Sequence, residues 1–332
     1  MFNEPLVNRT VHDASLAPED PEIYQSVARC IEELLSGQGT FFQEVARAVL
    51  SSDRHILSAE PKTTWPIVVV RSCVAAAGDW RKAIWPAAAL EMAMTACDVF
   101  DDLADGEDVT SVERFGRGAV LTIAIGLLSM AGAGVLRAVD DGCAVEVACR
   151  LGTLVGEGIA AAADGQARGL ARGGAVPSVT DAYQLSAAKS GPLGDLAARL
   201  GASVATTDSA VVDLYGKFGW HLGVSAQLAN DARDVMPNRP MNKQDVRDGS
   251  PTVPLVFTGS IGAPVGLDPN DLIEWEAAER RRIADQGGIM LTEVLAIADQ
   301  LRAEEALTKL EELGHHTEGL RRLLVISDQA GC

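Results

Sequence analysis

Basic residues are scarce in this 332-residue chain: 28 Lys and Arg stand against 46 Asp and Glu, for a formal net charge of −18. That balance argues against nucleic acid or an anionic membrane surface as a partner, because both reward Lys and Arg. An anionic ligand would have to be met by bound cations or by a few well-placed bases. Cysteine is sparse as well. The six present (Cys30, Cys73, Cys97, Cys143, Cys149 and Cys332) form no CxxC pair and no metal-ligand spacing, which fits reduced thiols in a cytoplasmic protein. The first residues show no basic segment followed by an apolar run, so no secretory signal is expected. Runs of β-branched residues between tight turns are few, and neither a solenoid-length repeat nor a composition shift divides the chain.

What the chain has in quantity is apolar sequence, 47% of it, with a spacing near 3.6 in nearly every long segment. We expect an all-α fold: a single-domain helical bundle of about a dozen helices over residues 21–332, behind a loose arm at 1–20. The most apolar window, "GAVLTIAIGLLSMAGAGVL" at 118–136, has the length of a membrane span. It is rich in Gly and Ala, and no aromatic or basic anchors flank it, so it reads as a fully buried core helix and no stable membrane insertion is expected. Ser178 or Thr180 can start a helix that runs to about Leu200, with Gly201 stopping it. Segment 163–177 reads as a loop. So does 234–254, where Pro237, Pro240, Pro251 and Pro254 forbid a continuous helix.

Two polar ladders interrupt this apolar pattern. On a helix over 86–105, Asp98, Asp101, Asp102 and Asp105 fall at i, i+3, i+4 and i+7, one arc of the surface. That spacing normally carries an apolar stripe. On a helix over 218–235, Gln227, Asn230, Asp231 and Asp234 repeat the pattern, again at the C-terminal end. Converging carboxylates repel, and helix C-termini carry partial negative charge, so the arrangement costs stability unless cations sit between the ladders. All donors are oxygens, with no His or Cys among them, which suits hard divalent cations. Mg²⁺ in particular binds through a few carboxylates together with substrate phosphates. A solvated charge run is the bland reading, but it does not explain four acids on the face of a buried stripe. A calcium EF-hand fails, because Leu103 and Val112 would fill the third and twelfth loop positions.

The segments "DDLAD" and "NDARD" resemble the two aspartate-rich motifs of the trans-polyprenyl diphosphate synthase family. The resemblance extends over roughly residues 60 to 260. It includes "DGQARG", with Gly169 where the family has an acid, and "AAKSGPL", "FGWHLGVSAQLANDARD" and "NKQDVRDGSPTVPL". It implies an isoprenoid-synthase-type bundle around a deep apolar pocket, an allylic diphosphate as substrate, and a helical homodimer. It further implies three Mg²⁺ ions held by Asp101, Asp102 and Asp105 on one side and by Asn230, Asp231 and Asp234 on the other. Lys189 and Lys243 would complete the neutralisation, with Gln227 beside them, so that the C–O bond ionises and the pocket shields the cation.

The chain departs from the family where the second substrate binds. Elongating members carry "GKRxRP" to hold isopentenyl diphosphate. Here "PKTTWP" at 61–66 keeps Lys62 but has Thr63 and Trp65 in place of both arginines, and a single Arg114 stands displaced after the first motif. Bidentate Arg is hard to replace. The expected function is therefore ionisation and cyclisation, as in the terpene synthases of this fold. The alternative is a prenyltransferase that elongates or uses another acceptor, with Asp98 as a base for it. A non-catalytic partner subunit is a third reading, disfavoured by the nearly complete ladders. Where the family caps its pocket with bulky residues, this chain has Ala96 and Cys97, with Ala93 a turn higher. The resemblance then implies an open floor and a C20 or C15 substrate. Phe100, Trp65, Phe218 and Trp220 could face a cation or simply pack the core. His221 lies off the ladder's arc and reads as a satisfied histidine rather than a base.

Overall fold

The computed structural model describes residues 18–52, 55–104, 106, 110–171, 177–238 and 244–329. Among them there is no strand. The helices are α1 (Asp20–Ser36), α2 (Thr40–Leu50), α3 (Trp65–Ala75), a 3₁₀ turn at Trp80–Ala83, α4 (Ile84–Ala104) and α5 (Thr110–Phe115). They continue with α6 (Arg117–Arg137), α7 (Val145–Leu170), α8 (Val179–Ala205), α9 (Ser209–Asp234) and α10 (Asp245–Asp248). The last four are α11 (Val253–Thr258), α12 (Pro269–Asp285), α13 (Gly288–Glu312) and α14 (Glu318–Gln329). The expected all-α bundle is what the chain forms.

Local chemistry sets the helix starts that matter for the site. The Ser178 hydroxyl accepts from the Asp181 N–H and the Asp181 carboxylate accepts from the Ser178 N–H, a capping box that fixes the start of α8. Asp208 caps α9 by accepting from the N–H groups of Ala210 and Val211. Helix α8 packs between α7, α3 and α9; α13 covers another side of α9, and α4 lies along α6. The main core joins Leu90 and Met92 of α4 to Leu127 of α6, Leu196 of α8 and Phe218 of α9. Burial of each such side chain stabilises the fold by about 1.5–3 kcal/mol.

The structure corrects two boundaries and one burial expectation. Gly201 does not stop α8, which runs on to Ala205. A Cβ there would lie 1.9 Å from the Val69 carbonyl oxygen, so the glycine lets α3 approach α8. The expected loop at 163–177 is helical as far as Leu170, because Ala163, Gln166, Ala167 and Arg168 are good helix formers that outweigh Gly165 and Gly169. The 118–136 window is not buried on all sides. It buries Val120, Ile123, Leu127 and Met130, while Ile125 is 58% and Leu136 54% exposed. Two helical stretches, Trp80–Ala104 and Arg117–Arg137, are long and apolar enough to cross a membrane; most of the first and about half of the second are buried inside the bundle. The arm at 1–17 lies outside the described residues.

Candidate active site

Asp98, Asp101 and Asp102 lie in the last turns of α4 and Gln227, Asn230, Asp231 and Asp234 in those of α9, and one turn of α8 joins the two ends. On the α4 side, Lys189 Nζ donates to Asp101 Oδ1 and Oδ2 at 2.7 and 2.9 Å, and Gln166 Nε2 of α7 donates to Asp101 Oδ1 at 2.5 Å. On the α9 side, Ser186 Oγ donates to Asp231 Oδ2 at 2.9 Å, and Ser190 Oγ donates to Gln227 Oε1 at 2.7 Å. Gln227 Nε2 in turn donates to Asp231 Oδ1 at 2.8 Å. Residues 186–190 thus hold an acid of the first ladder with one side chain and the second ladder with two others. Beyond the helix ends, Gln244 Nε2 donates to the Gly106 carbonyl at 2.8 Å, tying together the segments that follow the two ladders.

Backbone closeness makes this possible. A Cβ on Gly165 would lie 2.1 Å from the Ala188 carbonyl oxygen, so α7 reaches α8 only through a glycine, one residue before Gln166. Pro192 inside α8 lacks the N–H that would bond that same carbonyl. Gly194 and Gly219 meet in the same way, each Cβ 2.0 Å from the other's carbonyl oxygen, and bring α9 onto α8.

The electrostatics differ between the ladders. Asp101 is partly exposed and paired with Lys189. Asp231 is 5% exposed, and burial, opposed by its bonds from Gln227 and Ser186 and reinforced by the charge of Asp245, pushes its carboxyl up from 3.8 to about 7. Asp102 and Asp234 are partly exposed, and Asn230 is exposed and accepts Arg233 Nη1 at 2.7 Å. Asp105 and Lys243 lie outside the described residues. Burial, with Asp98 and Asp101 nearby, pushes the Cys97 thiol up to about 12, so it stays protonated.

The C-terminal end of α9 rests on a buried charge group. Arg280, 1% exposed, donates to the carbonyls of Asp234 and Met236 and is paired with Glu276, which also holds Arg247.

The all-oxygen donor set suits a hard divalent cation, and the buried Asp231 carboxyl is the group such a cation would relieve. Among the described residues, however, no three His, Cys, Asp or Glu side chains gather closely enough to hold a metal ion. Lys189 is paired with Asp101, and the Asp231 carboxyl is held by Ser186 and Gln227. Of the residues expected at the pocket floor, Ala93 and Ala96 are fully buried in the main core and Cys97 is partly exposed. Ala89, on the face that Ala93 and Ala96 continue, lies 3.5 Å from where a Cβ on α6's Gly134 would sit, so small residues here let α4 and α6 pack closely. The aromatics divide the same way: Phe218 is fully buried, Trp65 and Phe100 pack partly buried against the main core, and Trp220 joins a second core group. His221 is satisfied, its Nδ1 lying 2.7 Å from Asp299 Oδ1.

At positions 63 and 65, where arginines were expected, the structure shows packing, while Lys62 beside them is exposed. The Thr63 hydroxyl donates to the buried Glu91 carboxylate at 2.8 Å, Trp65 packs against the core, and Arg114 pairs with Glu44 at 2.5 Å. Sequence reasoning missed Gln166, Ser186, Ser190, Glu91 and His55. Gln166 sits in "DGQARG" and Ser186 and Ser190 flank Lys189, so their segments were visible. Their bonds across helices were not.

A model of the polyprenyl synthetase family matches residues 46–264, and the chain belongs to that family. No curated protein matches it. Among solved structures, geranylgeranyl pyrophosphate synthetase from the archaeon Geoglobus acetivorans superposes with a TM-score of 0.75 at 19% identity, over 93% of this chain and 98% of that one. Polyprenyl synthetase from Streptomyces coelicolor A3(2) gives 0.74 at 19% identity, over 93% and 97%. Polyprenyl synthase from Caulobacter crescentus CB15, complexed with calcium and isoprenyl diphosphate, gives 0.66 at 21% identity, over 91% and 94%. At these identities the likeness establishes the fold.

Proposed function

We propose that the chain ionises an allylic prenyl diphosphate and transfers the prenyl group to an acceptor, the prenyltransferase alternative of the sequence analysis. The observation that carries this reading is the turn of α8 from Ser186 to Ser190, hydrogen-bonded to the acids of both ladders. The family membership and the prenyl diphosphate synthases among the solved structures support transfer over cyclisation. The Caulobacter protein, with its calcium and isoprenyl diphosphate, supports divalent metal and diphosphate binding at the ladders.

In this reading Asp101, Asp102, Asp105, Asn230, Asp231 and Asp234 would hold Mg²⁺, three ions as in the family. When bound, Mg²⁺ supplies positive charge against the departing diphosphate. Lys189, released from Asp101, and Lys243 add the chain's own cations, and Gln227 keeps Asp231 oriented. The apolar stretch of α4 before the first ladder excludes water from the cation. A homodimer and a cytoplasmic location belong to the same reading.

A second reading, cyclisation without an acceptor, is favoured by one observation: Thr63 and Trp65 are built into the core where isopentenyl diphosphate would need arginines. The test is an incubation with Mg²⁺ and geranylgeranyl or farnesyl diphosphate, with and without isopentenyl diphosphate, followed by mass spectrometry of organic and aqueous phases. A longer diphosphate formed only with isopentenyl diphosphate supports elongation. A cyclic hydrocarbon from the allylic substrate alone supports the second reading, and an untouched substrate in every mixture contradicts both.

A further inference from the structure

His55 lies between α2 and α3 and is 6% exposed. Its ring reaches across to the helix that carries the first ladder. Nδ1 lies 3.2 Å from Thr95 Oγ1 and 3.5 Å from Glu91 Oε1, and Nε2 lies 3.7 Å from Asp98 Oδ2. Residues 91, 95 and 98 are spaced i, i+4 and i+7, so they follow one face of α4 towards Asp101 and Asp102.

The tautomer of His55 turns on where the Thr95 hydroxyl proton goes. Thr95 has one hydroxyl proton and donates it to the Glu91 carbonyl at 2.8 Å. Toward His55 its oxygen can then only accept, which puts a proton on Nδ1. Glu91 is occupied as well: Oε1 accepts the Ile56 N–H at 3.1 Å and Oε2 the Thr63 hydroxyl at 2.8 Å. In the neutral imidazole, Nε2 is therefore the acceptor nitrogen, and it faces the Asp98 carboxylate. A ring lone pair and a carboxylate at this separation make a place for one proton. The Asp98 side chain is 42% exposed and sits one turn before Asp101 on the ladder's arc, so it can meet a ligand that His55 cannot.

We propose that Asp98 and His55 are the proton-accepting pair of this site, Asp98 taking the proton released when the prenyl cation is quenched and His55 positioning it and sharing that proton through Nε2. The inference rests on the ionisation reading above. The allylic C–O bond breaks and its electron pair leaves with diphosphate. The cation then forms one new bond. The electron pair of an adjacent C–H bond, or of an acceptor's N–H or O–H bond, neutralises the charge while its proton passes to Asp98. The pair serves either fate of the cation.

Asp98→Asn and His55→Asn test this. The first replaces a half-exposed carboxylate with its isostere; the second keeps an N–H for Thr95 and deletes Nε2. Wild type and variants are incubated with Mg²⁺ and geranylgeranyl diphosphate, with and without isopentenyl diphosphate, and inorganic diphosphate and organic product are measured in the same tube. We expect diphosphate release to continue in both variants while native product per diphosphate falls on the order of a hundredfold, the scale of a lost general base. Prenyl alcohol from capture of water replaces it, and the Mg²⁺ requirement is unchanged. A wild-type ratio of product to diphosphate in both variants overturns the proposal. So does a parallel fall of both quantities, or an increased Mg²⁺ requirement in Asp98→Asn, which would make Asp98 a metal ligand. A wild type that releases no diphosphate defeats the ionisation reading and this pair with it.

Discussion

Lys189 is the residue on which the two readings of the acid clusters meet. It neutralises Asp101 in the structure, and under the proposed function it would turn to the substrate's diphosphate. Lys189→Ala should therefore lower turnover about 10²–10³-fold, as loss of one preorganised charge donor does; steady-state kinetics at saturating substrate check it. Asp101→Ala and Asn230→Ala should each lower turnover by orders of magnitude, and wild-type product formation in either would remove the metal assignment. Asp231 makes a different prediction. Its folded value, about 7, is above the unfolded one, so its contribution favours folding below about pH 4 and is lost as pH rises through 7. Asp231→Asn should then raise the melting temperature of the metal-free protein at pH 8 relative to wild type, and change it less at pH 5. Equal shifts at both pH values would contradict the buried-acid account. The identity and spacing of these acids were legible in the sequence. So were Lys189 and Gln227; Ser186, Ser190 and Gln166 were not, because they carry no periodic signal and act only across helices.

At the level of elements, the site is a matter of how close helices come. Gly165 sits against the Ala188 carbonyl, so Gly165→Ala should push α7 away from α8, destabilise the fold by about 1–3 kcal/mol and weaken the Gln166 bond to Asp101. Urea unfolding measures the first effect. Ala96→Phe belongs here too. Read from sequence it would shorten the preferred substrate; in the structure Ala96 is enclosed in the core, and the change should cost a comparable 1–3 kcal/mol or so through overpacking. Glu276 is fully buried between Arg247 and Arg280, which holds the end of α9. Glu276→Ala should cost about 3–5 kcal/mol, because it leaves a buried guanidinium uncompensated. Helix existence was legible from the 3.6-residue period and from the Ser178 cap. The errors at Gly201 and at 163–170 share one cause: glycine reads as a breaker locally, whereas here it serves contact between helices, which sequence order does not display.

For the whole molecule, periodicity and the scarcity of β-branched runs were enough for the all-α class, and the paired motifs for the family. The missing arginines were legible as absences, but not what replaced them: a threonine bound to a buried glutamate and a tryptophan packed against the core. The half-exposed face of α6 was misread because an Ala- and Gly-rich helix looks equally apolar on every side. Under the proposed function, two distant acidic ladders and the α8 turn between them form one diphosphate-ionising site. The most direct measurement is release of inorganic diphosphate from geranylgeranyl and farnesyl diphosphate by the purified wild-type protein, with Mg²⁺ and after its removal by a chelator. Release is expected to require Mg²⁺ and to be abolished in both Asp101→Ala and Asp231→Ala. No release from either substrate, or release that survives both substitutions, would contradict it.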